Sequence, residues 1–426
     1  MPARIAEREA SLWRHPGFVK FWTGQTISMA GSQVSLLAIP LTAVLFLKAS
    51  AAQMGFLTAA GSLPGLLVGL FAGAWIDKIR RRPILIAADL GRAAILALIP
   101  AAALLGVLRI EQLYLSAFLA GILGLFFDVA QRSYLPAVIE KNKLVDGNSK
   151  LEMSRSIAEI IGPGAAGGLV QLLTAPVAIA VDAISFLVSG FFLWLIHTPE
   201  PALSLPSIKE NIWHEIEDGL KVVLRQPSLR AMLGCLGVVH FFNSSLEAVF
   251  LLFLTRDLGI SPGLLGLAFA IGGAGFLVGT LLPGLIVRKL GFGPGIIAGL
   301  LVFSFSDLLV PLLAQILNHR LIFAVLVAAQ FFFGVGLVMF NIGQVSLRQA
   351  LTSDRYQGRM NATFSFIVGA AVPLGGLLGG LLGESLGLRA TLLLSAFGEM
   401  LGVLWLLFSP LRSLREQPDE IAFPQL

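Results

Sequence analysis

Twelve runs of about 20 or more mostly apolar residues, separated by short polar loops, constrain this 426-residue chain more than any other feature. They fall at roughly 18–46, 52–76, 84–107, 112–135, 149–173 and 176–197, then 229–255, 262–287, 293–317, 321–347, 359–383 and 387–409. Crossing about 30 Å of hydrocarbon at 1.5 Å per residue takes about 20 residues, and without water to satisfy the backbone each crossing must be a helix. The expected fold is an all-α polytopic membrane protein with 12 transmembrane helices. Composition agrees, with 56% hydrophobic residues, 13% charged residues and a mean hydropathy of +0.85. The 46 glycines are read as packing residues, because small side chains let helices approach where no hydrophobic force drives association.

The densest charge lies in GAWIDKIRRRP, between the second and third runs, where Asp77, Lys78, Arg80, Arg81 and Arg82 cannot enter hydrocarbon. The positive-inside rule puts this hairpin on the cytoplasmic side. With a cytosolic N-terminus, the outer loops then hold only Lys48, Arg109, Arg256, Arg320 and Arg389 of the 30 Lys and Arg residues. The expected location is the cell inner (plasma) membrane, multi-pass, with both termini cytoplasmic. Cations placed by topology account for the net charge of +5 without a nucleic-acid partner. The stretch from Met1 to Pro16 lacks the apolar core and cleavage site of a signal peptide. Cys235 is the only cysteine, which excludes an internal disulfide and a cysteine-based metal site. With no phosphate-binding glycine loop, no His-Glu-x-x-His and no paired metal ligands, neither an enzyme nor a cofactor or metal is expected, and energy must come from a gradient rather than ATP.

The chain is internally duplicated. An offset of 211 residues carries Pro16 onto Pro227, Gly55 onto Gly266, Gly61 onto Gly272 and Gly73 onto Gly284, and an offset of 213 carries Asn148 onto Asn361. Parallel six-helix repeats point to a transporter of two pseudo-symmetric six-helix bundles around a central site. The expected division is an N-terminal bundle (1–197), a cytoplasmic linker (198–228), a C-terminal bundle (229–410) and a cytoplasmic tail (411–426). Ile208, Ile212, Ile216, Leu220 and Val223 recur at helical spacing in the linker, which predicts an amphipathic helix on the membrane surface.

The charged hairpin resembles the loop between helices two and three of the major facilitator superfamily, whose pattern is Gly, three residues, Asp, Arg or Lys, any residue, Gly, then basic residues. Gly73, Asp77, Lys78, Arg81 and Arg82 match, and Arg80 stands where the pattern has glycine. The resemblance implies a cytoplasmic gate: Asp77 against the start of helix eleven, and Arg81 reaching Asp128 on helix four, which Arg132 shares at i+4. The second copy, GLIVRKLGFG, keeps Gly284, Arg288, Lys289, Gly291 and Gly293 but has no aspartate, so the gate is expected on one side only. IIGPGAAGG in the fifth run is similar to the helix-five signature of the family's drug:proton antiporters, with Gly162, Pro163, Gly167 and Gly168 as the matching residues and one extra residue between the pairs. It implies a pivot, and ordinary small-residue packing is the other reading. FWTGQTISMAGSQVSLLAIPLTAVLF and ADLGRAAILALIP resemble the branch containing the enterobactin exporter and macrolide-efflux proteins, which implies export of amphipathic small molecules driven by protons moving inward.

Ionisable groups at membrane depth cost several kcal/mol unless neutralised, paired or hydrated, so each is a candidate site. Glu247, Asp307 and Glu399 fall within the seventh, ninth and twelfth runs, with His240 at i−7 from Glu247 and Asn243 close by. Helix seven lines the cavity in the family, so Glu247 ranks first for proton or substrate binding. Asp307 and Glu399 are expected as a pair between peripheral helices or as protonated, lipid-facing acids. Gln25 and Gln33 in the first run, and Asn341 and Gln344 in the tenth, offer neutral hydrogen bonds to a substrate. Asp182 is expected near the outer surface, and Asp89, Arg92, Glu152, Arg155 and Glu159 in the inner latch or in salt bridges. The expected partners are a small-molecule substrate, protons and the lipid bilayer, with the chain acting as a monomer by alternating access. An uptake symporter or a lysolipid flippase on the same fold, and a non-transporting membrane enzyme or sensor, remain open at this point.

Overall fold

A computed structural model describes residues 12–76, 79–197 and 212–416, with only the backbone described for 70–74 and 212–218. Among the described residues, twelve helices are long and apolar enough to cross a membrane, and there is no strand. In order, the helices are α1 (Pro16–Leu41), α2 (Ala51–Ile76), α3 (Arg81–Leu104), α4 (Ile110–Val138), α5 (Leu144–Leu173), α6 (Ala175–Trp194), α7 (Ile212–Arg225), α8 (Pro227–Leu252), α9 (Pro262–Leu281), α10 (Pro283–Leu290), α11 (Phe292–Leu313), α12 (His319–Ala350), α13 (Asp354–Leu386) and α14 (Leu388–Leu407). Proline stands in the first turn of α1, α6, α8, α9 and α10, where its missing N–H has no intrahelical partner to lose.

The eighth run departs from expectation by splitting into α9 and α10 at Leu282, because Pro283 cannot donate back into the preceding turn. Arg288 and Lys289, expected in a loop, occupy the last turn of α10, where cations suit the negative helix end.

Duplication reaches backbone detail. The ends of α1 and α8 both widen into a π-helical turn, Thr42–Phe46 and Phe253–Asp257, in which Leu47 N–H donates to Thr42 O (3.0 Å) and Leu258 N–H to Phe253 O (3.1 Å). The offset read from the glycines carries the first of these turns onto the second. One residue beyond Leu47 and Leu258, Lys48 and Gly259 both adopt positive φ, 54° and 63°. The charged hairpin is less symmetric. Gly291 has φ 98°, whereas its counterpart Arg80 is extended at φ −60°, ψ 131°, so the first copy turns without a left-handed residue there.

The chain forms two compact units, Met1–Leu47 with Leu67–Ser207 and Lys48–Leu66 with Ile208–Leu426. In the second unit, the first part of α2 packs on α13. A Cβ at Gly55 would lie 2.6 Å from Gly376 O and 2.8 Å from Gly380 Cα, so this contact needs glycine. Arg256 Nη2 donates to Ala49 O (2.7 Å), and Ala52 N–H donates to Glu384 Oε2 (3.3 Å), placing a carboxylate at the positive start of α2.

Within the first unit, Phe18, Phe21, Leu85, Phe127, Tyr134 and Leu193 form a core from α1, α3, α4 and α6. In the second, Leu229, Leu300, Phe303, Phe340, Met360 and Leu406 do so from α8 and α11 to α14. Linker helix α7 joins this core through buried Val223, whereas Leu220 is exposed. Ile208 lies outside the described residues. Helix α7 thus docks on protein through one edge, with Gly219 against Thr363 of α13.

Candidate functional site

Buried polar groups follow different chemistry in the two units. In the first, Asp89 of α3 is 0% exposed and accepts from Arg92 Nη2 one turn on, at 2.5 Å. The guanidinium sits over the rings of Phe127 (4.4 Å to the centroid) and Phe186 (4.0 Å), which favour a cation electrostatically. Its charge is matched inside the protein. Asp182, in the third turn of α6, is 1% exposed. Ser185 Oγ donates to its Oδ1 (3.0 Å), and Ser32 and Ser35 of α1 face it. Hydropathy cannot show this, because depth along a run does not say which face of the helix meets protein.

A polar cleft of about 520 Å³ in the same unit is lined by Met29, Asp128, Arg132, Asn148, Glu152 and Arg155, among others. Asp128 and Arg132 therefore share one cleft, and the positive charges acting on Asp128 come from Arg92, Arg155 and Arg132. Arg155 and Glu152 pair loosely at 3.6 Å. Of the hairpin residues, Asp77 and Lys78 lie outside the described residues, Gly73 is described in its backbone conformation only, and Arg81 opens α3. Arg82 Nε and Nη2 donate to Leu193 O (3.0 Å) and Trp194 O (2.5 Å), closing the C-terminal end of α6 with a cation.

Helix α5 runs unbroken through Pro163. A Cβ on Gly162 would lie 2.6 Å from Gln33 Cγ, so the glycine makes room for the Gln33 side chain of α1. Gly167 is buried, and nothing lies within 4 Å of where a Cβ of Gly168 would be. Gln25 is buried with no partner for Nε2, and Gln344 is buried with none for Oε1. Asn341, one turn before Gln344 on α12, is exposed.

In the second unit, α8, α11 and α14 converge on acids. Glu399 is 0% exposed and Asp307 7%. Each carboxyl acts on the other, and Ser304 and Asn243 flank Glu399 without completing a hydrogen bond to it. Glu247 is within electrostatic reach of both acids. Its side chain is exposed. His240 is half-buried on α8 and is not among the groups acting on these acids. Asp307 and Glu399 thus form a pair that faces protein. Ranking by sequence favours Glu247 and misses Ser304, although its position three residues before Asp307 puts it on the same helical face.

The family model for the Major Facilitator Superfamily matches residues 21–244 and 233–425. Macrolide efflux protein A of Streptococcus pyogenes is 24% identical over 381 residues, covering 89% of this chain and 92% of that protein. Multidrug efflux pump Tap of Mycolicibacterium fortuitum is 27% identical over 395 residues, covering 90% and 94%. Among solved structures, a bacterial homologue of the iron transporter ferroportin has a TM-score of 0.74 at 18% identity, covering 93% of this chain and 98% of its own. The nucleoside transporter NupG has a TM-score of 0.73 at 11% identity, covering 92% and 98%, so these two share the fold alone. Matches to both halves, with twelve apolar helices among the described residues, carry one conclusion: this multi-pass membrane protein is a transporter of the Major Facilitator Superfamily.

Proposed function

We propose that this chain is a secondary exporter of amphipathic small molecules of the drug, macrolide or siderophore-like kind, working by proton antiport and alternating access. The observation that carries this reading is that a macrolide efflux protein and a multidrug efflux pump align along about nine tenths of the chain. Three intramembrane acids on α8, α11 and α14, with no basic group among the charges acting on Asp307 or Glu399, supply a place for coupling protons. The protein works as a monomer in the plasma membrane with both termini cytoplasmic, an orientation supported by the bias of Lys and Arg between loops. Gly73, Asp77, Lys78, Arg81, Arg82, Asp128 and Arg132 form the cytoplasmic gate, and Gly162, Pro163, Gly167 and Gly168 the pivot of α5. Gln25, Gln33, Asn341 and Gln344 contact the substrate.

The test is erythromycin uptake into inside-out vesicles under an imposed pH gradient. Accumulation abolished by an uncoupler is expected. Accumulation only with the gradient reversed would mean uptake symport, and indifference to the gradient across a broad ligand panel would end the antiport reading.

A further inference from the structure

We propose that Asp307 and Glu399 hold one proton between them as a single proton-binding site, filled and emptied through Glu247. Its role in coupling rests on the antiport reading above, but its occupancy by a proton does not.

Three observations lead there. The first is enclosure: Glu399 is fully buried and Asp307 nearly so, leaving no opening for a molecule, whereas a proton needs only a contact between carboxyls. The second is charge. The titratable groups facing the pair come from α8, namely Glu247 and the Cys235 thiol, which is within electrostatic reach of Glu399. Among the described residues, no basic group of the other helices is among the charges acting on the pair. Arg389 of α14 donates to Pro311 O (2.7 Å) and Leu312 O (3.4 Å), and Arg348 of α12 stacks on Phe364 at 4.6 Å. The first unit shows the alternative, because its buried Asp89 on the corresponding third crossing has Arg92 at 2.5 Å. Two carboxylates side by side in such a place repel each other, and one shared proton removes that repulsion.

The third is hydrogen bonding. Among the described residues, neither oxygen of Glu399 nor Oδ2 of Asp307 completes a hydrogen bond, and the donors beside Glu399, Ser304 and Asn243, are neutral. Each carboxyl's natural partner is the other, and two carboxyls can hydrogen-bond only when one carries a proton. Adding one proton to the dianionic pair gives one carboxylic acid and one carboxylate joined by O–H···O⁻, and its loss restores both carboxylates. Glu247, exposed and within electrostatic reach of both acids, is the route by which that proton enters and leaves.

The experiment uses full-length protein in phosphatidylethanolamine–phosphatidylglycerol liposomes, with wild type, E399Q and D307N/E399Q confirmed as folded by thermal unfolding. Infrared difference spectra should show a protonated-carboxyl C=O band at neutral pH in wild type, moved in E399Q and lost in D307N/E399Q. A band unchanged in the double variant overturns the shared proton, and if that variant does not fold, an unmoved band in E399Q does so. In the same liposomes, erythromycin accumulation under a pH gradient should fall at least about tenfold in D307N/E399Q while exchange without a gradient persists, a change of about 1.4 kcal/mol in coupling. Full accumulation in the double variant overturns the coupling role. Absence of gradient-driven accumulation in wild type would sink the antiport reading instead, and the infrared comparison would still decide whether the pair holds a proton. E247Q should keep the band and slow its response to a pH jump, and an unslowed response overturns the entry route.

Discussion

Thr174 and Gly387, at equivalent positions of the two repeats, adopt the same backbone conformation, φ 80°, ψ 154° and φ 89°, ψ 157°. Each joins the fifth crossing of its repeat to the sixth. That region of φ/ψ space is one only glycine enters freely, so the first repeat carries a strain that the second avoids. Thr174 recovers nothing as a cap, because its side chain makes no capping hydrogen bond.

Thr174→Gly should therefore stabilise the protein. Relief of about 1–3 kcal/mol of strain outweighs the roughly 0.5–1 kcal/mol of chain entropy that glycine costs. Thermal unfolding in detergent should show a higher midpoint than wild type, and a lower one would mean that the threonine is held by contacts that repay its strain.

Lys48→Gly, which copies the second repeat's Gly259, should do less. The left-handed conformation at φ 54° costs a non-glycine residue about 1–2 kcal/mol, close to the entropy glycine adds, so a shift smaller than that of Thr174→Gly is expected in the same assay.

Arg92→Leu should be among the most damaging single changes in the first unit. It leaves Asp89 buried without its cation, a loss of about 3–5 kcal/mol. The double variant D89N/R92L should regain much of it, and denaturant titration of both variants separates a charge effect from lost packing on Phe127 and Phe186.

Asp77→Asn should slow transport about tenfold, equivalent to about 1.4 kcal/mol on the gating step, with substrate binding and folding unchanged. Erythromycin flux and binding measured side by side check this, and equal losses in both would place Asp77 in the binding site rather than the gate.

Cys235 should resist thiol reagents. It is fully buried on α8, so N-ethylmaleimide should label the chain only after denaturation.

Much of the architecture is legible in the residues, because hydrocarbon imposes a single rule on every crossing. Run length sets the number of helices, and proline positions mark several of their starts. The repeat of the glycines foretells twin π-helical turns that hydropathy does not reveal. The break at Pro283 is also written in the chain, but the hydropathy of the run continues across it and hides the interruption.

What the chain could not disclose is which face of each helix meets which neighbour. From the residues alone, Asp307 and Glu399 read either as a pair between helices or as acids facing lipid, and hydropathy does not choose between the two. Packing made Asp182 a serine-lined group, set Asp307 beside Glu399 facing protein, and left Glu247 exposed. The sequence by itself determined the twelve crossings, their duplication and the bias of basic residues, since each follows from transfer between water and lipid residue by residue. Tertiary structure alone decided which buried acids have a cation and which have only each other, because that depends on the rotation of helices far apart in the chain.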